Sequence, residues 1–158
     1  MSFKIQFFLL MLLAMVDRFV IPTFSQNAIE FFEVKYKSDF RQGGVIISLP
    51  EIIFAIFALF VGFTIDKHGK VIKFLIGGYS LLVLSHLLFL FEDPCTALQA
   101  EKCWSGYIPM GMIGVANSFI SVGLYPIVNN LVKESQFGLA YSFLQSAGNI
   151  GYLSGSLF

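Results

Sequence analysis

The chain has 158 residues, a formal net charge of +0, 56% hydrophobic and 13% charged residues, and 19 Phe, with a mean hydropathy of +0.77. A soluble domain carries roughly twice that charged fraction, and the apolar residues arrive in blocks of about 20 rather than in amphipathic stripes, which excludes an ordinary cytosolic fold and points to lipid-buried helices. The ten basic residues are scattered singly or in small groups; they form no dense cationic face, so nucleic acid is not an expected partner.

In chain order, the first apolar block covers 3–24 and is interrupted by Asp17 and Arg18. Lys4 gives only a weak positive start and no small-x-small cleavage site follows, so a retained helix is expected rather than a signal peptide. A charged segment, 30–41, leads to the second block, 43–65, which contains Pro50 and Glu51. The cluster Asp66, Lys67, His68, Gly69 and Lys70 makes a tight hairpin into the third block, 71–91. A loop over 92–105 holds both cysteines, and the fourth block, 106–131, is broken by Pro109 and Pro126. Lys133 and Glu134 mark its exit. The last block, 139–158, is loaded with Ser and Gly and ends without a flanking charge, so an unfinished fifth helix is expected. The fold class is therefore an all-α polytopic membrane protein, with about four complete transmembrane helices plus a truncated fifth.

Lys and Arg in short loops are held on the cytoplasmic side. Placing Lys67, Lys70 and Lys73 there brings Lys4 and Lys133 to the same side and leaves Lys35, Lys37, Arg41 and Lys102 on the other. Cys95 and Cys103 then share a non-cytoplasmic loop, where an oxidising lumen permits a disulfide. Two unpaired thiols are the alternative.

An ionisable group inside a spanning helix normally faces a bundle interior or a watery cavity. Asp17 and Arg18 project about 100° apart, and they are candidates to line a substrate cavity, Arg18 suited to a carboxylate and Asp17 to an ammonium group. The competing role is packing against a neighbouring helix. Glu51, after Pro50, is a substrate or proton contact or else a snorkelling carboxylate. Tyr79, His86, Asn117, Tyr125, Gln145 and Asn149 each suit an interhelical hydrogen bond, and His86 has no companion at metal-ligand spacing. Gly111, Gly114, Gly123, Gly148, Gly151 and Gly155 suit close helix packing. No phosphate-cradling loop, paired-histidine helix or nucleophile elbow is present, so no enzyme, metal or cofactor is expected.

Two stretches carry a resemblance. Gly62, then Asp66 and Lys67, then Gly69 and Lys70, at a hairpin between two spans, resemble the signature loop of the major facilitator superfamily. Glu134, Gln136, Gly138, Ala140, Tyr141, Gln145, Ser146, Asn149 and Gly151, with Tyr125 and Pro126 upstream and Ser85 and His86 in the third block, resemble the major facilitator superfamily domain containing protein 1 branch, the lysosomal dipeptide uniporters. The resemblance aligns the five blocks with helices seven through eleven of such a protein, part of its carboxy-terminal half. It implies a fold of two six-helix bundles around a midplane site, working by rocking of the halves. It also implies facilitated export of dipeptides without ion coupling, a lysosomal membrane location with the plasma membrane as alternative, and as partners a homodimer and a glycosylated lysosomal membrane protein. Tyr125, Gln145 and Asn149 are cavity residues by this resemblance, and Gly62, Asp66, Lys67, Gly69 and Lys70 a conformational loop. Because alternating access needs two bundles, the chain is expected to be part of a longer transporter. The rival expectation is a small membrane scaffold or assembly factor that binds partner helices.

Overall fold

The computed structural model describes residues 5–93 and 106–157. In the absence of water a spanning segment must satisfy its N–H and C=O groups internally, and a helix does so within one segment. The described residues accordingly form five α-helices and no strand: α1 (Ile5–Tyr36), α2 (Phe40–His68), α3 (Val71–Phe91), α4 (Tyr107–Leu131) and α5 (Phe137–Gly155), with one 3-10 turn at Glu134–Gln136. By length and composition α2, α3 and α4 are able to cross a membrane.

Two departures from the apolar blocks have local causes. α1 continues past 24 into the charged segment, because Ala28, Phe32 and Tyr36 recur at i, i+4 and are all buried, while Glu30 and Glu33 stay exposed. It ends where Lys37 turns left-handed at φ 53, and the Asp39 carboxylate then accepts from the Gln42 backbone N–H at 2.6 Å to cap α2. Pro109 does not break α4, since it sits in the first turn, where its missing N–H has no intrahelical partner to lose. Pro50 and Pro126 do lie inside helices.

The chain divides into two compact units, Met1–Gln26 with Leu124–Phe158, and Asn27–Gly123. The first is built on Phe7, Leu10 and Ala14 of α1, Leu124 and Val128 of α4, and Ala140 and Leu144 of α5. In the second, helices meet at glycine. A Cβ at Gly78 would stand 2.9 Å from Ile120 Cγ1 and Phe119 Cβ, and one at Gly114 would stand 2.7 Å from the Pro50 carbonyl oxygen. A buried hydroxyl adds a bond between α3 and α4, Ser85 donating to the Pro109 carbonyl at 2.8 Å, while Ser118 donates to the Gly114 carbonyl of its own helix at 2.9 Å.

One end of the second unit is closed by an aromatic cluster, Phe31, Phe32, Tyr36 and Phe89, with ring centroids 5.4 to 6.5 Å apart. Lys35 Nζ donates to the Phe89 carbonyl, one of the last carbonyls of α3, and Tyr36 Oη donates to Glu92 Oε2 at 2.7 Å. Large apolar side chains such as Leu59, Phe60 and Phe63 of α2 and Ile72, Ile76 and Leu90 of α3 are exposed, as lipid-facing surfaces require. The chain is an integral, multi-pass membrane protein.

Candidate functional site

All five cavity candidates fall in the first unit, three of them in one hydrogen-bonded chain. On α5, Phe137, Tyr141, Gln145 and Asn149 recur every four residues and so share one face. On α4, Tyr125 and Asn129 do the same. Tyr125 Oη donates to Gln145 Oε1 at 2.9 Å, and Gln145 Nε2 donates to Asn149 Oδ1 at 3.3 Å. Four residues forward on α4 and four back on α5, as an antiparallel pair demands, Tyr141 Oη donates to Asn129 Oδ1 at 2.7 Å. The Tyr125 and Tyr141 rings lie 6.0 Å apart, tilted by 35°.

This second rung was missed in the sequence, where Tyr141 counted only toward the resemblance and Asn129 went unread. The signal available was the four-residue spacing of Tyr141, Gln145 and Asn149 and of Tyr125 and Asn129.

α1 lies against α5 in the same unit. A Cβ at Gly151 would run into the Met15 carbonyl oxygen, 2.9 Å from its carbon and 3.1 Å from its Cα. Further along, Thr23 Oγ1 donates to the Gly155 carbonyl at 3.1 Å and Gln26 Nε2 to that of Ser156 at 3.2 Å. Arg18 is exposed, and its Cγ would stand 3.3 Å from a Cβ on Gly148, the neighbour of Asn149. Asp17 is half-buried and outside the ladder, with Arg18 as the charged group acting on it.

Interhelical hydrogen bonds in a membrane contribute about 0.6 kcal/mol each on average, so the two rungs add little to an α4–α5 contact already held by Val128, Ala140 and Leu144. Gln145, Asn149 and Asn129 are exposed, and amide N–H groups left facing hydrocarbon would cost several kcal/mol each. Water, a polar ligand or a polar side chain of another helix against that face removes the penalty.

At the α2–α3 hairpin Gly69 adopts φ 64, ψ 11 and its N–H closes onto the Ile65 carbonyl at 2.7 Å, the left-handed helix end that glycine tolerates. Asp66, Lys67 and Lys70 are exposed around it. A Cβ at Gly62 would meet Val122 Cγ1 at an ordinary 3.8 Å. His86 Nδ1 lies 2.8 Å from the Leu82 carbonyl of its own helix. Lys4, Lys102 and the Cys95–Cys103 pair lie outside the described residues.

Residues 7–158 match the family model of the Major Facilitator Superfamily. The Lysosomal dipeptide transporter MFSD1 of Gallus gallus is 31% identical over 121 residues, covering 77% of this chain and 25% of the relative. Its counterparts in Mus musculus and Homo sapiens are 30% and 29% identical over the same share of the chain and 24% of their own length. The chain thus spans about a quarter of the curated relatives it matches. No solved structure matches it significantly.

Proposed function

The chain belongs to the major facilitator superfamily, and on that premise we propose that it forms part of the carboxy-terminal bundle of an alternating-access transporter for dipeptide-like solutes in the lysosomal membrane. The observation that carries this is the Tyr125–Gln145–Asn149 hydrogen-bonded chain on an exposed face of α4 and α5. Arg18 is suited to a peptide carboxylate and Asp17 to its ammonium group. The hairpin with Gly62, Asp66, Lys67, Gly69 and Lys70 serves as the conformational element. By the same likeness, the partners are a second copy and a glycosylated lysosomal membrane protein. Transport of this kind binds the solute and moves it without a cofactor.

The test is water access at the ladder. With Cys95 and Cys103 replaced by serine, Gln145→Cys and Asn149→Cys should react with a charged, membrane-impermeant thiol reagent, and dipeptide should slow the reaction. Phe143→Cys, about 200° around α5 from Gln145, should react far more slowly. Unreactive thiols at both 145 and 149 would turn the assignment toward a helix-packing scaffold.

A further inference from the structure

Resting on the cavity assignment above, we propose that the α4–α5 face is a hydrogen-bond-donor surface for the carbonyl and carboxylate oxygens of the solute, and that Tyr141 is a positioning residue holding Asn129 in its donor orientation.

A side-chain amide offers one acceptor oxygen and two N–H donors, and a tyrosine hydroxyl one donor. In this ladder every amide oxygen is engaged from within. Gln145 Oε1 accepts from Tyr125, Asn149 Oδ1 from Gln145, and Asn129 Oδ1 from Tyr141. Among the described residues the nitrogens are left over: both hydrogens of Asn129 Nδ2, both of Asn149 Nδ2 and one of Gln145 Nε2. All three residues are exposed, so the array offers N–H donors at successive levels about 6 Å apart along the helices. A carboxylate or peptide carbonyl, which only accepts, is complementary to such a face. An ammonium group, which only donates, meets amide oxygens that each already accept one hydrogen bond and keep a single lone pair.

Tyr141 holds one end of this arrangement. Its ring stands between those of Tyr125 and Phe137, at 6.0 and 6.5 Å, and its hydroxyl is also 3.4 Å from the Tyr125 carbonyl, just before Pro126. Phenylalanine at 141 would keep the ring contacts and lose the donor, freeing the Asn129 amide to turn its oxygen outward.

The experiment is uptake of labelled alanyl-alanine by proteoliposomes carrying the transporter that contains this chain, competed by its carboxy-terminal amide and by its N-acetyl derivative. Asn129→Asp and Asn149→Asp keep shape and exchange donors for acceptors. Each should raise KM for the free acid tenfold or more with kcat little changed, and weaken competition by the amide less. Tyr141→Phe should raise KM several-fold at unchanged kcat and unchanged thermal midpoint. Unaltered KM in both Asp variants overturns the donor surface, as does a loss of discrimination confined to the N-acetyl competitor. Unaltered KM in Tyr141→Phe overturns the positioning role. Gln145→Ala and Asn149→Ala separate the two levels: if neither changes uptake the cavity assignment itself falls, whereas if they lower uptake and the Asp variants do not, only the donor surface falls.

Discussion

Gly151→Ala tests whether α1 and α5 pack backbone to backbone. The new methyl would run into the Met15 carbonyl oxygen and sit 2.9 Å from its carbon, short of the roughly 3.4 Å at which ordinary contact begins. Both partners are main chain, so no rotamer change relieves the clash and α1 must back away from α5 by about half an ångström or more. Overpacking of this kind costs about 1–3 kcal/mol. The same shift lengthens the Thr23–Gly155 and Gln26–Ser156 bonds, now 3.1 and 3.2 Å, at about 0.6 kcal/mol each. Alanine returns about 1 kcal/mol through its better helix propensity, leaving a net loss of about 1–3 kcal/mol. Gly148→Ala is the control on the same face. Its methyl would meet only Arg18 Cγ, at 3.3 Å on a flexible side chain, so the propensity gain survives and the variant should be neutral or slightly stabilised. The assay is titration of the detergent-solubilised protein with dodecyl sulfate, followed by far-ultraviolet circular dichroism. Equal midpoints for the two variants would refute the backbone contact.

Three further outcomes are expected. Gly69→Ala forces a Cβ into the left-handed region at φ 64 and should lower the same midpoint by about 1 kcal/mol, with Gly69→Asn recovering much of it. Asp39→Ala removes the acceptor for the Gln42 N–H, at a cost of about 1 kcal/mol, and hydrogen exchange should quicken in the first turn of α2 while Asp39→Asn stays close to wild type. Burial first, then the hydrogen bond to Glu92 and its negative charge, push the Tyr36 phenol above its ordinary 10.0. The fold therefore favours the neutral phenol, a contribution complete below pH 10 and lost as pH rises through the folded value. Absorbance at about 295 nm should show that Tyr36→Phe removes a late-titrating phenol among the six tyrosines, and that Glu92→Gln makes it titrate earlier.

The fold class was legible because membrane burial imposes few solutions: long apolar blocks with few charges leave only helices once the backbone must bond to itself. Where α1 stops was not legible, because hydropathy averages over a whole turn and the turn around Phe32 mixes Glu30, Glu33 and Lys35 with Ala28, Phe31 and Tyr36. Only the partners decide that Phe32 and Tyr36 are worth burying, and those partners, Phe89 and Gly106, lie far along the chain. Glycine shows the same asymmetry. Residue type alone makes Gly62, Gly114 and Gly151 equally small, but whether a methyl would fit depends on what stands opposite, which is Val122 Cγ1 at 3.8 Å in the first case and main chain in the other two.

The site divides along the same line. Residue type marked Tyr125, Gln145 and Asn149 only together with Tyr79, His86 and Asn117, each an expensive group to leave in an apolar helix, and it was the family resemblance that set the three apart. Residue type was not enough to find Asn129 or to give Tyr141 a role, because a residue near a helix end and an aromatic among aromatics each have an ordinary reason to be there. What makes them part of the array is register. Once Tyr125 pairs with Gln145 across an antiparallel contact, a step of four residues in opposite directions brings Asn129 opposite Tyr141, and the hydroxyl of one meets the amide oxygen of the other at 2.7 Å. Donor direction then adds what composition lacks. The same five side chains with their amides reversed would present acceptors, and the face would suit ammonium groups instead. On the donor-surface proposal, the chemistry of the face follows from which amide atoms turn into the ladder, and Tyr141 fixes that at the Asn129 end.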